Sequence, residues 1–414
     1  ENAQRNGVAD KFTVLVGDLS DQASGEYNII TANIVAAAIL SLAPHVPVLM
    51  APGARFIASG IIDERRDEVL TGLKQGEDYP TNQRFACVMV NNISDSAYQN
   101  ARPQDGLSEA DILVEIKVEG NITRFMAMYQ DYTKIPQIAP VRSGRDQFFQ
   151  LIIPFHPLYI HIGESVIQTQ YKNNYDYEDF DVNFDYTGFS RDQSRGNVAS
   201  EHKAYTNAEH LASAIEQLGT DTEITYNSTF FNFVPYDEPA RVLTGPSAAR
   251  IQVTHSNRYK TYFDWDEAAG KYMMSQYSHA SGSIEPSVDR NNDQQLAFDN
   301  VLVIMTEFDV WPDPGDSGYD LQKVTYGSGY GYYFSGGRAE KVCWEKPTPD
   351  SALRILYAFG EEEQVQFNTG KTYLAVVDLE EAEGFTFEPD ESEVASSASG
   401  ADAGSTVSES TAAQ

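Results

Sequence analysis

A short polar loop within residues 139–163 combines residue types that bind charged groups. Arginine offers a rigid fork of hydrogen-bond donors, and histidine can donate or accept a proton. The loop leads into an apolar run of Phe, Leu and Ile, which ends in an alternating segment that predicts a strand. These side chains, gathered around a buried segment, indicate a site for an anionic or carbonyl-bearing group. The residues concerned are Arg142, Ser143, Arg145, Asp146 and, on the predicted strand, His161.

Another arginine falls on an apolar strand face. Alternation along residues 121–129 buries Ile122 and places Arg124 on the same side of the predicted strand. A buried guanidinium requires a carboxylate partner. The nearest acidic residues in sequence are Glu115 and Glu119, so we expect Arg124 to pair with one of them.

The composition argues against several classes of function. With 61 acidic and 29 basic residues, the formal charge is −32. This charge argues against nucleic acid or anionic lipid as the main partner, because both are bound through clustered Lys and Arg. The two cysteines, Cys87 and Cys343, have neither metal-ligand nor redox spacing, and the histidines form no zinc-binding motif. We therefore expect no disulfide framework and no metal site.

No targeting segment is visible in the sequence. The most apolar N-terminal stretch, residues 29–50, is interrupted by Asn, His and prolines, so it predicts neither a signal peptide nor a spanning helix. The chain begins at Glu1 rather than Met, and we expect that a segment upstream of it is missing. Targeting signals therefore leave the localisation open.

Secondary-structure patterns divide the chain into regions. The N-terminal elements are predicted strands at 12–16, 27–31 and 54–62 and a predicted helix at 35–42. Their order favours a doubly wound α/β unit with parallel strands. From Ser247 onward, short apolar runs between turn residues predict a second, mostly antiparallel β domain. Residues 388–414 lack apolar periodicity and predict a disordered acidic tail rich in Ser and Ala.

The N-terminal residues resemble a known enzyme family. The segments that carry the resemblance are GDL at 17–19, YNIITANIVAAAI at 27–39 and LMAPGARFIASGIIDERRDEV at 49–69. They are similar to the C-terminal part of the PrmA family of ribosomal-protein lysine methyltransferases. The resemblance implies a Rossmann-like S-adenosylmethionine fold, in which Asn33 contacts the cofactor near the transferred methyl group and Asp18 faces the cofactor crevice.

The cofactor anchors of that family are missing from this segment. The glycine-rich loop and the acidic residue that binds the ribose would both lie before Glu1. We therefore expect residues 1–69 to be a truncated and inactive methyltransferase-like Rossmann fragment without a cofactor. If the fragment is functional, the resemblance implies S-adenosylmethionine as cofactor and a ribosomal protein as substrate.

From Leu70 onward the chain resembles a different family. The matching segments are LTGL at 70–73, FACVMVNN at 85–92, ARPQDGLSEADILVE at 101–115, VEGNITRFMAMY at 118–129, APVRSGRD at 139–146 and LYIHIG at 158–163. They are similar to the YerB-like family of bacterial lipoproteins, whose domain is of unknown function, and the resemblance extends to about residue 380. His202 matches a His-Asn pair of that family, whereas Lys203 replaces the asparagine, which puts a role for the amide in doubt.

The two resemblances together predict the organisation and partners of the chain. The predicted domains are 1–69 (methyltransferase-like), 70–225 (YerB-like α/β), 245–380 (YerB-like, β-rich) and 388–414 (tail). This arrangement indicates a gene fusion of α/β and α+β parts. The larger part implies the cell envelope, an unknown small-molecule or cell-wall ligand, and membrane association only through a lipid anchor that this chain lacks. The smaller part implies the cytoplasm.

The ligand site of the YerB-like part has two interpretations. Its candidate residues are Arg102, Glu119, Arg124, Arg142, Ser143, Arg145, His161 and His202. In one interpretation the arginines pair with carboxylates, including Asp146, to fix turns, and His161 is a core histidine. In the other they form an anion pocket with His161 or His202 as acid or base. A Ser143-His-Asp hydrolase can also be drawn, but no G-x-S-x-G motif accompanies it.

Residues 168–196 interleave Tyr, Phe and Asp with little periodicity. Aromatic faces beside carboxylates can bind sugars or cationic ligands, and the alternative is an irregular surface loop.

Across the whole chain, the sequence favours an envelope-associated binding module of unknown ligand, with no catalytic residue assigned. The other function that it supports is an S-adenosylmethionine-dependent protein methyltransferase, carried by residues 1–69.

Overall fold

The structure, a computed structural model, describes residues 82–389 with short gaps and, in the N-terminal region, two strands and the single residues 39, 42, 46 and 49. The gaps are 176, 178–179, 182–187, 225, 227–229, 236–237 and 313–319. The chain divides into two compact units, residues 1–81 and residues 82–414, which are described separately below. The predicted acidic tail lies outside the described residues from position 390 onward.

The described part of the first unit is a pair of parallel strands, β1 (Tyr27–Asn33) and β2 (Met50–Ser59). This pairing confirms that the second and third predicted strands are parallel neighbours. The third begins at Met50 rather than at residue 54, because the Pro52-Gly53 step is extended rather than a turn. The predicted first strand at 12–16 lies outside the described residues, so the Rossmann-like fold of this unit stays a prediction.

The second unit is a mixed α/β structure. Its strands are β3 (Ala86–Asn91), β4 (Ile112–Lys117), β5 (Thr123–Tyr129), β6 (Leu158–His161), β7 (Phe180–Asp181), β8 (Ser190–Arg191), β9 (Ala204–Tyr205), β10 (Arg250–Thr254), β11 (Lys260–Asp266), β12 (Lys271–Ser278), β13 (Ser283–Pro286), β14 (Ala297–Phe298), β15 (Asn300–Thr306), β16 (Phe308–Trp311), β17 (Leu321–Val324), β18 (Ser328–Ser335), β19 (Arg338–Glu345), β20 (Arg354–Leu356), β21 (Thr372–Asp378) and β22 (Thr386–Glu388). Its helices are α1 (Asp146–Ile152), α2 (Val166–Tyr175) and α3 (Ala208–Leu218).

A ten-stranded sheet runs through the second unit in the order β20-β19-β18-β15-β21-β4-β5-β3-β6-β7. Strands β15, β21 and β4 are parallel neighbours, and so are β3, β6 and β7. Strand β5 is antiparallel to both β4 and β3, so these two groups run in the same direction. The carboxyl ends of β15, β21, β4, β3, β6 and β7 therefore meet along one side of the sheet, which we call the carboxyl edge.

The second sheet has the order β13-β12-β11-β10-β22, with the short strand β14 beside β12, and all its pairs are antiparallel. The C-terminal region is thus mostly antiparallel, as the sequence predicts. The ten-stranded sheet includes strands from both predicted YerB-like domains, 70–225 and 245–380. The limits of separate domains there stay a prediction.

Alternation along the strands fills two cores. In β3, Val88 and Val90 face a core between the two sheets, and Cys87 and Met89 face a core on the side that α1 covers. Strands with both faces buried consist of nearly continuous apolar residues, and the Ala86–Asn91 strand shows this pattern. Burial of each large apolar side chain contributes about 1.5–3 kcal/mol. The strands that form the carboxyl edge are therefore packed on both faces.

Local signals set some elements and not others. The sequence predicts a helix over residues 208–218 that is stopped by Gly219, and helix α3 spans these residues. The Asn207 side chain caps its start, and Gly219 has a left-handed conformation at its end. The apolar run after Arg145 forms helix α1. One of the apolar runs after Ser247, residues 364–367, is also predicted as a strand, and this prediction is wrong because these residues form only isolated bridges. Among the described residues, no helix has both the length and the apolar character needed to cross a bilayer.

Candidate functional site

The polar loop crosses the carboxyl edge of the ten-stranded sheet. The Arg142 N–H donates to the Met89 carbonyl of β3 at 2.9 Å, and the Arg142 carbonyl accepts from the Ile162 N–H after β6 at 3.2 Å. Ligands of open sheets with parallel strands bind outside the carboxyl ends of the strands. The topology therefore places the arginines where such a fold offers a site.

Three arginines, Arg124, Arg142 and Arg145, lie close together at this edge, and we call them the arginine cluster. Arg124 is the second residue of β5, opposite Asn91 at the end of β3. Its side chain is buried, with 5% exposure, whereas Arg142 and Arg145 are half-buried. Desolvation holds the pKa of Arg124 well below its ordinary value, and the positive charges of Arg145 and Arg142 lower it further.

The cluster is not saturated with acceptors. Arg145 Nε donates to both carboxylate oxygens of Glu119, at 2.8 and 2.9 Å. Arg124 Nη1 donates to the Ser143 carbonyl at 2.6 Å. The Nε atoms of Arg124 and Arg142 are buried, and no acceptor among the described residues reaches either of them. Arg124 makes no hydrogen-bonded ion pair with Glu119, because Arg145 binds that carboxylate, although the charge of Glu119 still attracts Arg124.

His161 lies beneath the polar loop and contacts the Gly163 carbonyl, to which the loop also binds. Its buried ring lies 2.9 Å, measured at Nδ1, from the Gly163 carbonyl and 4.6 Å, between ring centroids, from Tyr159. The Gly163 carbonyl also accepts from the Gly144 N–H at 2.8 Å. A Cβ at Gly144 would lie 2.4 Å from Oε1 of the Gln168 side chain of α2, so a larger residue here would have to displace this amide. His161 and Gln168 thus fix the position of the loop.

His202 lies beside the cluster as a neutral histidine. Its Nδ1 accepts from Asn91 Nδ2 at 3.1 Å, and its Nε2–H donates to Gln99 Oε1 at 2.8 Å. Burial lowers the pKa of His202 to about 4, with Arg142 acting in the same direction against Glu201. The ring therefore orders the end of β3 next to Arg142 without carrying charge.

Arg102 belongs to a different part of the molecule. Its Nε donates to Asn92 Oδ1 and its Nη1 to the Tyr277 carbonyl, both at 2.9 Å, and its guanidinium lies over the Tyr259 ring. These contacts join the loop after β3 to the second sheet. The structure therefore brings Glu119, Arg124, Arg142, Ser143 and Arg145 together, with His161 beneath them and His202 beside them.

Asp146 has an unusual environment that the sequence does not reveal. It is fully buried, and its Oδ1 has no hydrogen-bond partner among the described residues. Desolvation and the neighbouring Glu119 raise the pKa of Asp146 to about 7, although Arg145 and Lys323 oppose this shift. Lys323, on β17, is a neighbour of Asp146 that no local sequence pattern indicates. The Gly between Ser143 and Arg145 is the signal that could have indicated the close packing of α2.

A second polar cluster surrounds Glu115, between the two sheets. Glu115 is fully buried, and its two oxygens accept from side chains of both sheets. The donors are Asn92 (3.0 Å), Thr123 (2.6 Å), Thr261 (2.8 Å), Gln276 (3.2 Å) and Tyr373 (2.7 Å), with His255 Nε2 at 3.6 Å. We call these residues the Glu115 cluster. Glu115 is therefore not the arginine partner that the sequence suggested.

The charge of Glu115 is stabilised by this shell. Desolvation would raise the pKa of Glu115, but His255 and the hydrogen bonds from Thr123 and Tyr373 outweigh it and hold the pKa at about 2. A carboxylate has about four lone-pair sites, and here donors fill them. The Glu115 cluster joins the two sheets and has no site left for a ligand.

Catalytic and metal-binding arrangements are not found among these residues. The Ser143 carbonyl accepts from Arg124, and no described hydrogen bond joins its hydroxyl to a histidine. In the described part of the chain, no group of three or more His, Cys, Asp or Glu side chains could hold a metal ion. A groove of about 450 Å³ is lined by Met305, Tyr332, Ala382, Phe385, Thr386 and Phe387, and contains none of the predicted site residues.

The predicted cofactor residues lie in the first unit. Asp18 is outside the described residues. Asn33 is the last residue of β1, opposite Ser59 of β2, and its side chain is not among those described. Their role in S-adenosylmethionine binding stays a prediction.

Three family models match the chain. Residues 70–221 match the N-terminal domain, and residues 250–374 the C-terminal domain, of a protein of unknown function, DUF3048. Residues 1–85 match ribosomal protein L11 methyltransferase, PrmA. The first two models follow one another along the second unit, and the third covers the first unit.

Individual relatives give the same division. “Putative lipoprotein YerB” of Bacillus subtilis is 29% identical over 321 residues, which cover 76% of this chain and 87% of YerB. The crystal structure of the YerB protein from Bacillus subtilis covers 77% of this chain and 98% of that chain, with a TM-score of 0.59 and 26% identity.

The first unit matches ribosomal protein L11 methyltransferases. That of Desulforamulus reducens is 45% identical over 75 residues, and that of Pelotomaculum thermopropionicum is 42% identical over 73 residues. Each match covers 18% of this chain and 24% of the methyltransferase, so the chain spans about a quarter of their length. The chain is therefore a YerB-like DUF3048 protein with an N-terminal segment similar to PrmA.

Proposed function

We propose that the YerB-like part is a binding module of the cell envelope, which takes an anionic ligand at the arginine cluster. The observation that carries the proposal is the buried guanidinium of Arg124, whose Nε has no acceptor among the described residues. The Nε of the neighbouring Arg142 has none there either. The envelope location is supported by the description of YerB as a lipoprotein.

The energetics of the cluster favour the binding of an anion. A buried donor without a partner costs about 1–3 kcal/mol. The three neighbouring guanidinium charges repel one another, and the carboxylate of Glu119 offsets only part of this repulsion. A carboxylate or phosphate would supply acceptors to all three arginines, because the guanidinium fork fits these groups in a bidentate geometry. Arg142 and Arg145 are half-buried, so their outer nitrogens are accessible to such a group.

The described contacts favour binding over catalysis. Both ring nitrogens of His202 are engaged, and the ring of His161 is buried against Tyr159. A hydrolase of the Ser-His-Asp type needs a hydrogen bond between nucleophile and base. The hydroxyl of Ser143 makes no such bond with either histidine.

Thermal unfolding of the full chain with glucuronate or inorganic phosphate tests the proposal. A ligand that binds only the native state raises the melting temperature in a concentration-dependent way. We expect this increase in the wild-type protein and a loss of affinity of about tenfold or more in Arg142→Ala, because charge-assisted hydrogen bonds are lost.

The matched control is Arg250→Ala, which removes a half-exposed arginine paired with Asp264 on the second sheet. This variant should respond to the anions like the wild-type protein. Equal responses of Arg142→Ala and the wild-type protein would contradict the proposal. So would the absence of any response to either anion at low ionic strength, where electrostatic attraction is strongest.

The second candidate is an S-adenosylmethionine-dependent methyltransferase acting on a ribosomal protein in the cytoplasm. It is favoured by the sequence identity between the first unit and L11 methyltransferases, and by the parallel pairing of β1 with β2. Calorimetry of the full chain with S-adenosylmethionine tests it. Micromolar binding would support this function, and the absence of heat would exclude it for this chain.

A further inference from the structure

An aromatic groove lies beside β22 and contains no residue of the arginine cluster. Its walls come from both sheets, because Met305 and Tyr332 belong to the ten-stranded sheet and Phe387 belongs to β22 of the second sheet. The ring centroid of Tyr332 lies 5.4 Å from that of Phe385 and 5.5 Å from that of Phe387. All four side chains are half-buried, so part of this apolar surface is open to solvent.

Strand β22 is an edge strand of the second sheet. It pairs with β10 on one side, and no described strand pairs with its other side. The Glu388 carbonyl accepts from the Ala249 N–H at 2.8 Å, so the backbone polar groups of Glu388 face the β10 side. In a strand, the N–H and C=O of successive residues point to opposite sides. The N–H and C=O of Phe387 therefore point outward, where an added strand can bind them.

The chain around the groove carries negative charge. Residues 378–393 include eight acidic and no basic residues. Glu383 and Glu388, which lie on either side of Phe385 and Phe387 in sequence, are exposed. The cation opposite Glu388 in β10 is Arg250, but its guanidinium pairs with the second sheet's Asp264 at 3.2 Å. Among the residues that the structure describes, no lysine or arginine forms an ion pair with Glu383 or Glu388.

This charge discriminates between possible occupants of the groove. A second copy of the chain would bring an equal acidic run against β22, and residues 390–414 of the chain itself include five acidic and no basic residues. Both would be repelled, and so would nucleic acid and anionic lipid, whereas a basic segment would be attracted. Lys341 Nζ lies 4.4 Å from the ring centroid of Tyr330, which is on the same face of β18 as Tyr332. A cation therefore already binds an aromatic ring of this strand.

We propose that β22 binds an extended basic segment of another protein, which adds as a strand beside Phe387 and places apolar side chains in the groove. Alternate residues of such a strand point to opposite faces, as Phe387 and Glu388 do on β22. Its apolar side chains would contact the groove, and its basic side chains would lie on the face of Glu388. Main-chain hydrogen bonds supply affinity in this mode of binding, and the groove supplies specificity. The site is separate from the arginine cluster and does not depend on anion binding there.

Calorimetry of the full chain with matched octapeptides tests the proposal. The probe has blocked ends and alternates lysine with valine. One control alternates glutamate with valine, and the other has four lysines followed by four valines, which keeps the composition and removes the alternation. We expect the alternating lysine peptide to bind about tenfold or more tightly than either control. Its binding should weaken as salt is added.

Two charge reversals on opposite edges of one sheet provide matched variants. Glu388→Lys changes β22, and Glu285→Lys makes the same change at an exposed residue of β13, the other edge strand. Glu388→Lys should weaken binding of the alternating lysine peptide about tenfold, whereas Glu285→Lys should leave it within about twofold of wild type. Amide hydrogen exchange should show slower exchange of the Phe387 N–H in the complex, because the added strand binds it.

The outcomes that contradict this binding mode are distinct from those for the arginine cluster. Both charge reversals should keep the wild-type response to glucuronate, which also shows that the fold is intact. Equal binding of the three peptides, equal effects of the two substitutions, or binding without protection of the Phe387 N–H would overturn the proposal. Protection of this N–H in the free chain that increases with protein concentration would assign the edge to a second copy and overturn it as well.

Discussion

The two polar clusters of the second unit handle buried charge in opposite ways. The carboxylate of Glu115 is surrounded by donors from both sheets, and its pKa is held at about 2. The guanidinium of Arg124 has like charges as neighbours, an Nε without an acceptor and a lowered pKa. A saturated charge stabilises the fold, whereas an unsaturated one costs stability and is consistent with a ligand that completes it. This difference separates a structural joint from a candidate site.

The largest expected effect is at the saturated cluster. Glu115→Gln should lower the free energy of unfolding by about 3–5 kcal/mol, because one partner of a buried network is lost and a donor replaces an acceptor. Denaturant unfolding measures the change. The same substitution at Glu119, which is half-buried, should cost only about 1 kcal/mol. Similar losses in the two variants would remove the distinction between the clusters.

Acid should act on the Glu115 cluster in the wild-type protein. The pKa of Glu115 is about 2 when folded and 4.5 by its ordinary value. A lowered folded pKa gives stability that is present above pH 4.5 and is lost as pH falls towards 2. Protonation of this group should lower the free energy of unfolding by about 3 kcal/mol, and urea unfolding at pH values across that range measures the change. An equal acid dependence in Glu115→Gln would contradict the assignment.

The arginine side of the comparison should show the opposite pH dependence at Asp146. Its folded pKa is raised to about 7 from an ordinary 3.8, so stability is fully present below pH 3.8 and is lost as pH rises through 7. Asp146→Asn should therefore be about 4 kcal/mol more stable than wild type at pH 8 and equally stable at pH 3.5. Chemical unfolding at the two pH values measures this, and a destabilised variant at pH 8 would show that the carboxylate is needed in its charged form.

The sequence predicted elements with strong local signals. Helix α3 was predicted with correct ends because Asn207 and Gly219 are capping residues. Helix α1 was not predicted as a helix, because it is buried on all sides and therefore has no amphipathic period. The continuous ten-stranded sheet depends on pairing of β21 with β4, which are far apart in the chain, and no local signal specifies such pairing.

The candidate site was predicted only in part. Arg142 and Arg145 were predicted together because they share one loop. The register of the hairpin prevents Arg124 from pairing with Glu115. Glu115 lies opposite Phe125, whereas Arg124 lies opposite Ile116. The side chains of Arg124 and Glu115 therefore point to opposite faces of the sheet. Arg102 was included among the candidates as a polar residue of the YerB-like segments, and it binds Asn92 and Tyr277 instead. Contacts made by the second sheet could not be inferred from residues 70–225 alone.

The unfolding free energy of Arg124→Met, with and without glucuronate, tests the central claim most directly. Methionine is similar in size and removes an incompletely paired buried charge, so we expect the ligand-free variant to be about 1 kcal/mol more stable than wild type. The same variant should gain no stability from glucuronate, whereas the wild-type protein should. A ligand-free variant as destabilised as Glu115→Gln, with an unchanged response to glucuronate, would contradict the account and make Arg124 a structural residue.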